Sequence, residues 1–281
     1  MTAIALDEAL QQGSYQEALT TIQRELKASP KPALAFLSFE LKAFLEDFEG
    51  ALADLALFDR LLPEREYLEE FRHVLINGQT WCYRQTLPDF PHCRACLGIP
   101  IPEYSIGFAE AIQHHASGNF EQALAHLQTA QAMVPKTSGE LTLLGGHRLA
   151  FTHLSDSDAL TGPHLVCSHR GALLDLPFAH LSELEFLPGN GFQDALWRPT
   201  RVTLRSGEQT LVRAFGYYVG TGNHSSEYVR KLQLTTFDYR KGYEVAVGQR
   251  DWTLFNDSGQ MMVGLQKVRR VVFHHTEAPA C

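Results

Sequence analysis

Three stretches in the first half of the chain repeat one pattern of apolar and polar positions. Each starts with an aromatic residue, followed by an Ala-Leu pair, one further apolar residue at helical spacing and a closing proline. The stretches start at Tyr15, Phe48 and Phe120; the second lies 33 residues after the first, and the third 105 residues after the first. The apolar positions share one face of a helix, and the proline falls just past the predicted helix end.

This pattern predicts a tetratricopeptide-like stack of helix pairs, because that repeat has a period of about 34 residues. An antiparallel bundle whose helices meet along alanines is the alternative. Segments 65–85 and 103–118 are predicted as further helices between the second and third copies. The segment 91–102 contains three prolines and is predicted as a loop.

After about residue 150 the apolar positions alternate over short segments, which are separated by turns that contain glycine. Hairpins are predicted at 164–178, 201–215 and 251–265, and single strands at 181–186 and 267–273. In this half only segment 225–234 is predicted as helical. Short strands at this spacing favour a small antiparallel barrel or a curled sheet.

These two patterns predict an α+β chain with two domains. A tetratricopeptide-like α-helical superhelix is expected over residues 1–140, followed by a mainly antiparallel, small barrel-like β domain over residues 150–281. Thr137–Leu149 is the predicted connector, with Gly145 and Gly146 as a hinge or turn. The 281 residues are enough for two such cores.

Charge is spread unevenly between the two halves. Residues 1–140 contain 19 Asp/Glu and 10 Lys/Arg, a net charge of −9, whereas residues 141–281 contain 13 and 14, a net charge of +1. An acidic first half argues against a nucleic-acid partner. No apolar run approaches the roughly 20 residues of a membrane-spanning helix, and the N-terminus lacks a signal-peptide pattern. Five cysteines are an odd number for disulfide pairing, so the expected location is a reducing cytoplasm.

Four motifs in the second half are similar in content and order to those of a known family. They are SDSDALTGPHL, LPFAHLSELEF, ALWRPTRVTLRSGE and VGQRDWTLFND. The residues that carry the resemblance are Asp156, Asp158, Gly162, Pro163, Pro177, Phe178, Leu184, Glu185, Trp197, Pro199, Leu204, Gly248, Gln249 and Arg250. Together with its tetratricopeptide-like first half, the chain resembles the ImpE (TagJ or SciE) family of accessory proteins of the bacterial type VI secretion system.

That resemblance implies a cytoplasmic, non-enzymatic adaptor that needs no cofactor. Its implied partner is the small subunit of the contractile sheath, bound through a helix of that subunit. The AAA+ ATPase that disassembles the sheath is a second implied partner, and no nucleic acid or membrane is expected to bind. Among the motif residues, Asp156, Asp158, Trp197, Gln249 and Arg250 are candidates for contact with a partner.

These motif residues also have structural interpretations. Asp156 and Asp158 suit a turn or a helix cap, since the rest of a calcium-binding loop is missing. Trp197 suits an anchor in the core or between domains. Arg250 can bind a carboxylate inside the protein as well as one on a partner.

The helical half offers a further set of candidates. Stacked helix pairs form a concave groove that suits a partner helix or an extended peptide. Acids such as Glu46 and Asp54 are candidates to bind basic residues that flank the apolar face of such a helix. A general scaffold whose β domain holds the partner is the alternative.

The stretch PHCRACLG at residues 91–98 raises the question of metal or thiol chemistry. Cys82, His92, Cys93 and Cys96 are candidate zinc ligands, and the Cys-x-x-Cys pair is also a candidate redox centre. Structural zinc sites commonly combine two ligand pairs, whereas this chain has one Cys-x-x-Cys. A surface loop is therefore favoured, and a metal- or thiol-dependent protein that uses Cys82–Cys96 is the alternative function.

Enzyme motifs are missing from the sequence. There is no Gly-x-Ser-x-Gly nucleophile elbow, no phosphate-binding loop and no His spacing of a metalloprotease. Cys167 and His169 share a predicted strand, but no orienting acid stands near them in the sequence. The sequence therefore predicts no catalytic residue.

Overall fold

Helices make up the first half of the chain. The computed structural model of the protein describes residues 12–63, 67–87, 97–189 and 191–274. The long helices are α1 (Tyr15–Ala28), α2 (Pro32–Phe44), α3 (Phe48–Leu61), α4 (Tyr67–Thr86), α5 (Glu103–Ala116) and α6 (Phe120–Met133). Two short helices, α7 (Phe192–Leu196) and α8 (Glu227–Arg230), lie in the second half.

The three repeated stretches form three equivalent helices. α1, α3 and α6 each begin at the aromatic residue of the pattern and have 14 residues. The alanine of each Ala-Leu pair (Ala18, Ala51 or Ala123) is fully buried, and a side chain this small lets a neighbouring helix approach closely. α2 packs against α3, and α5 packs against α6. The predicted tetratricopeptide-like helical half is confirmed.

The second half consists of antiparallel strands. They are β1 (Ser138–Leu143), β2 (Arg148–Phe151), β3 (His153–Asp156), β4 (His164–His169), β5 (Ala172–Pro177), β6 (Leu181–Phe186), β7 (Trp197–Leu204), β8 (Gln209–Phe215), β9 (Thr235–Arg240), β10 (Tyr243–Gly248), β11 (Asp251–Asn256), β12 (Gly259–Gly264) and β13 (Val268–His274). Eight strands form one sheet in the order β2-β1-β13-β6-β7-β8-β4-β5. A second sheet has the order β12-β11-β3, and β9 and β10 form a separate ribbon. This mainly antiparallel β half confirms the predicted fold class.

All three predicted hairpins form, because their turn signals are local. They are β4–β5, β7–β8 and β11–β12, and each pair is antiparallel. Arg170 (φ 46°) and Gly171 (φ 84°) both adopt the left-handed conformation that a tight two-residue hairpin turn requires. The strand predicted at 181–186 is β6, and the one predicted at 267–273 is β13.

Two local predictions are wrong. Thr137–Leu149 is not a connector, because Ser138–Leu143 form β1, which pairs with β2 on one side and β13 on the other. The partner β13 lies more than a hundred residues further along the chain, so local pattern does not reveal the pairing. The segment predicted as helical at 225–234 contains only the single turn Glu227–Arg230, and the β9–β10 hairpin is absent from the predicted strands.

Helix α6 ends at Met133, and the division into residues 1–140 and 150–281 stays a prediction.

The two halves share a hydrophobic core. Phe39 of α2 and Trp81 of α4 belong to the same buried cluster as Trp197, Phe215 and Tyr217 of the β half. A second cluster combines residues of the eight-stranded and three-stranded sheets, and a third joins α5 and α6 to β10. The helical half therefore completes its core only with residues of the β half.

Length and apolar character decide whether a helix in the described residues can cross a bilayer. None of the helices there combines the length and the apolar character that crossing a bilayer requires.

Candidate functional site

Trp197 lies at the seam, the contact region where helices α2 and α4 pack on the β half. It stands at the start of β7 and is fully buried. Its ring stacks on that of Phe39 in α2, with centroids 6.5 Å apart and planes 11° apart. The interpretation of Trp197 as an anchor between the two halves is confirmed by this contact.

Arg250 is also fully buried at the seam. Its Nη1 donates to Asp156 Oδ2 at 3.0 Å. The guanidinium lies 5.1 Å from the ring centroid of Trp81 in α4 and 5.0 Å from that of Tyr218. Cation–π contacts of this kind gain strength away from water. The carboxylate that Arg250 binds is therefore one of the protein's own.

Asp156 and Asp158 close the turn that follows β3. Asp156 Oδ1 accepts from the backbone N–H of Asp158 at 2.9 Å and from the Tyr218 hydroxyl at 2.7 Å. Asp158 Oδ2 accepts from the backbone N–H and the hydroxyl of Thr161, at 3.0 and 2.8 Å. Burial raises the pKa of Asp156 to about 7, although the Arg250 guanidinium opposes the rise. Burial raises the pKa of Asp158 as well. Both carboxylates thus have internal partners, as the turn interpretation expects.

Gln249 precedes Arg250 in the segment that leads into β11. It is 9% exposed, and its backbone forms a β-bridge with Tyr217. Its side-chain amide packs against Gly264, where an added Cβ would lie only 2.8 Å from Nε2. All five motif candidates are therefore buried against other parts of the protein. Their contact with a partner stays a prediction, and their packing favours a role in joining the halves.

Two polar pairs also hold α4 to the β half. Arg84 donates from both terminal nitrogens to the Asp175 carboxylate of β5, and neither side chain is more than 4% exposed. Asn77 Nδ2 donates to the Ser168 hydroxyl of β4 at 2.7 Å. Each pair joins residues 91 positions apart in sequence. That separation explains why sequence reasoning misses them.

Glu46 and Asp54 are directed into the protein and do not line an open groove. Asp54 Oδ2 lies 2.7 Å from Lys42 Nζ and accepts from the Ser38 hydroxyl at 2.5 Å. Glu46 accepts from the backbone N–H of Gly220 in the β half, and burial raises the pKa of its carboxyl. The β half covers α2 and α4 at the seam, so the predicted groove is filled by the chain itself. The predicted role of these acids toward a basic partner helix lacks the open surface that it needs.

Cys82 is the member of the predicted zinc set that lies within the described residues. Its thiol donates toward Glu46 Oε2 at 3.7 Å. Burial and the Glu46 carboxylate raise the pKa of this thiol to about 12. A thiol that stays protonated is a poor metal ligand and a poor nucleophile. His92, Cys93 and Cys96 lie outside the described residues, and the described part of the chain contains no group of three or more His, Cys, Asp or Glu that could hold a metal ion.

Sequence reasoning also misses a buried Ser–His pair. His164 Nδ1 lies 2.8 Å from the backbone oxygen of Thr161, which can only accept, so Nδ1 carries the hydrogen. In the neutral imidazole, His164 Nε2 then accepts from the Ser105 hydroxyl, 2.7 Å away. A catalytic nucleophile and its base have this polarity, but Ser105 is 2% and His164 1% exposed, so a substrate has no access. The pair fixes α5 to β4.

An apolar pocket opens between α6 and the turn after β3. Its volume is about 390 Å³. Its apolar lining comprises Phe108, Leu127, Ala132, Ala159, Gly162 and Tyr243, and Gln128 and Gln131 of α6 stand at its edge. Gly162 has φ +58°, and a Cβ there would lie 2.4 Å from the Phe108 ring, so this position requires glycine. A pocket of this kind suits one large apolar side chain of a partner.

The face of α6 beside this pocket is exposed and almost uncharged. Between Gln122 and Met133 the helix contains no Asp, Glu, Lys or Arg. α1 is the equivalent helix of the first repeat, and it carries exposed Glu17, Arg24 and Lys27. The residues at the equivalent positions of α6 are Gln122, Thr129 and Ala132, all exposed. Terminal helices of repeat stacks usually present polar outer faces, so the missing charge marks α6 as a candidate contact surface.

These observations define a helical-repeat protein that is joined to a mainly antiparallel β half and exposes one helix face without Asp, Glu, Lys or Arg, an architecture suited to binding other proteins. Residues 148–271 match the family model described as ImpE protein. The chain is 24% identical over 282 residues to the type VI secretion system accessory component TagJ of Pseudomonas aeruginosa, covering 98% of this chain and 93% of that relative. Both matches support assignment of the chain to the ImpE/TagJ family, which confirms the resemblance in the sequence.

A solved structure supports the fold independently. The crystal structure of a protein from Vibrio parahaemolyticus matches with a TM-score of 0.82 and 19% sequence identity. The match covers 96% of this chain and 98% of that chain, so both halves and their arrangement are shared.

Proposed function

We propose that this protein is a non-enzymatic accessory adaptor of a bacterial type VI secretion system, acting in the cytoplasm. The observation that carries the proposal is the similarity to the accessory component TagJ, which extends over 98% of the chain and so includes both halves. The ImpE match over residues 148–271 supports the same proposal. The two ion pairs of the seam, Arg250–Asp156 and Arg84–Asp175, are buried between parts of the protein itself, which suits a scaffold better than a reaction centre.

The partner in this proposal is the small subunit of the contractile sheath, bound through one of its helices. The AAA+ sheath-disassembly ATPase is the second partner, which the adaptor would bring to the sheath. Both follow from the family resemblance. A helix partner also agrees with the available surface, because an amphipathic helix offers large apolar side chains in a row along one face.

The uncharged face of α6 is where we place that helix. The faces of α2 and α4 at the seam are occupied by the β half, as the Phe39–Trp197 and Trp81–Phe215 contacts show. The outer face of α6 contains no Asp, Glu, Lys or Arg over three turns and leads to the 390 Å³ pocket. One apolar side chain of the partner helix would enter the pocket, with the rest of its apolar face on α6.

Calorimetric titration tests the proposed partner. The small sheath subunit of the same bacterium, and a peptide spanning its N-terminal helix, are titrated separately into the full chain. The full chain is required because its helical half shares a core with the β half. Saturable one-to-one binding of subunit and peptide supports the proposal, and the absence of binding by both at millimolar peptide rejects this partner.

The ATPase link needs a separate test. The adaptor is immobilised and exposed to the ATPase with and without the small sheath subunit. Retention of the ATPase under either condition supports the link. Its absence under both conditions rejects the ATPase as a partner and leaves the sheath interaction to the calorimetric result.

A further inference from the structure

The outer edge of β12 differs from the other sheet edges of the described residues. β12 pairs with β11 on one side and ends its sheet on the other. Its first four residues are exposed, and Met261 and Met262 are 40% and 54% exposed. The strand, GQMMVG, contains no Lys, Arg, Asp, Glu or Pro. Edge strands usually carry such residues, because they discourage pairing with another strand.

The end strands of the eight-stranded sheet are protected. β2 has only four residues and begins with the exposed Arg148. β5 contains Pro177, is almost entirely buried and is covered by α4. Shortness, charge, proline and a covering helix are the usual devices that block an edge.

The remaining edges are protected as well. β9 carries Asp238 and Arg240. The backbone of β10 is bound by the turn after β3, where the Ala159 N–H donates to the Glu244 oxygen at 3.2 Å. β3 is short, and the N–H of its last residue, Asp156, donates to the Gly162 oxygen at 2.8 Å. Within the described residues, β12 alone lacks a device of this kind.

The two exposed methionines lie on opposite faces of the three-stranded sheet. Met261 is opposite Leu254, which is fully buried. Met261 therefore lies on the core-facing side of this sheet, at its exposed edge. Met262 is opposite Thr253 on the outer face. A strand added beside β12 would therefore cover apolar surface on both faces while it pairs with the edge backbone.

We propose that the occupant of this edge is β12 of a second copy of the chain, paired antiparallel about a two-fold axis. A contact of this type uses the same strand twice, which requires that the strand does not repel itself. The uncharged β12 meets that condition. The charge distribution also favours it, because residues 141–281 carry +1 and residues 1–140 carry −9. Pairing through β12 joins the nearly neutral halves, and no residue of the acidic half takes part in the strand pair.

The dimer is concentration-dependent, because one strand pair with four methionines covers less surface than the roughly 800 Å² per partner of a stable interface. Sedimentation equilibrium of the full chain over a wide concentration range measures this directly. The average mass should rise from 31.5 kDa toward twice that value. A mass of 31.5 kDa at every concentration up to the millimolar range would overturn the proposal.

Two variants locate the contact. Met262→Lys places a charge on the edge strand and should keep the protein monomeric. Leu211→Lys is the control, because Leu211 is similarly exposed (58%) but lies on β8, which has a neighbouring strand on each side. The control should dimerise as the wild type does. Equal weakening by both variants, or none by Met262→Lys, would overturn the β12 contact.

Hydrogen exchange provides an independent readout of the backbone. In the wild type, amides of Gly259–Gly264 should exchange several-fold more slowly at high than at low protein concentration. In Met262→Lys this dependence should disappear. A dimer that leaves the exchange of these amides unchanged would place the interface elsewhere and overturn the proposal.

Discussion

Trp197 of β7 stacks on Phe39 of α2 in nearly parallel planes, with ring centroids 6.5 Å apart. This contact joins an element of the β half directly to a helix of the repeat half. The buried Arg250–Asp156 pair and the rings of Trp81 and Tyr218 extend the same contact region. The motif residues Trp197, Asp156 and Arg250 therefore lie in the contact region that joins the two halves.

Removing the Trp197 ring should destabilise the whole chain. Trp197→Ala deletes a fully buried aromatic side chain, a change that typically lowers the free energy of unfolding by about 3–5 kcal/mol. Urea unfolding followed by circular dichroism measures the loss. Trp197→Phe is the conservative control and should lose less. A loss below about 1 kcal/mol in Trp197→Ala would show that the seam contributes little to stability.

Asp156 should be needed for the stability of the fold mainly because its carboxylate pairs with the buried Arg250. At pH 8, above the Asp156 pKa of about 7, Asp156→Ala leaves the guanidinium without its carboxylate. Breaking a buried pair in this way typically lowers the free energy of unfolding by about 3–5 kcal/mol.

The double variant Asp156→Ala/Arg250→Met tests that explanation. It removes both charges and should recover part of the stability lost in the single variant. Urea unfolding of wild type, both single variants and the double variant gives the coupling energy. Additive losses would show that the two side chains act independently.

Glu40 should make the protein less stable as the pH rises. Its carboxyl on α2 accepts from the backbone N–H of Gln193 at 3.3 Å. Burial raises its pKa from 4.5 to about 7, so the folded protein holds this proton more tightly than the unfolded chain does. The stabilisation is complete below pH 4.5 and is lost as the pH rises to about 7. The loss is on the order of 3 kcal/mol.

Glu40→Gln removes this titration and should flatten the pH dependence of stability. As the pH rises from 5 to 8, the free energy of unfolding of the variant should increase relative to that of the wild type. Urea unfolding at each pH measures this difference. Glu49→Gln on the exposed face of α3 is the control and should track the wild type. If the stability of Glu40→Gln and that of the wild type changed equally with pH, the pH dependence could not be attributed to Glu40.

Cys82 should react slowly with thiol reagents. Burial and the Glu46 carboxylate raise the pKa of its thiol to about 12, so little thiolate forms at pH 8. Titration with Ellman's reagent should give the same number of rapidly reacting thiols in wild type and in Cys82→Ala. One fewer rapid thiol in the variant would show that Cys82 is reactive.

Zinc analysis of the purified protein tests the alternative function. We expect less than one equivalent of zinc per chain when the protein is produced in medium that contains only trace zinc. Stoichiometric zinc that is lost in Cys82→Ala would establish a metal site and contradict the adaptor as a complete account.

Local sequence signals predicted the elements well, and long-range contacts poorly. The repeat spacing places α1, α3 and α6 at Tyr15, Phe48 and Phe120, because each helix is specified within about 16 residues. The hairpin turns are equally local. β1 is not predicted because it is formed by pairing with β13, which lies at the other end of the β half.

The seam could be predicted only in part. The family resemblance draws attention to Asp156 and Arg250, and an internal carboxylate for Arg250 is among the interpretations of its sequence. The sequence does not pair the two, since they are 94 residues apart. The groove prediction fails for a related reason. Nothing local to Glu46 indicates that the β half will cover its helices and donate the Gly220 N–H to its carboxylate.

The proposal that the uncharged face of α6 binds a helix of the sheath small subunit can be tested with one pair of variants. Gln128→Lys places a charge at the pocket on α6, and Gln23→Lys places the same charge at the equivalent exposed position of α1. Calorimetric titration of the small sheath subunit into wild type and both variants compares the two surfaces. We predict at least a roughly tenfold weaker affinity for Gln128→Lys, since a buried unpaired charge is costly, and an unchanged affinity for Gln23→Lys. Unchanged affinity for Gln128→Lys, or an equal loss in both variants, would contradict the claim.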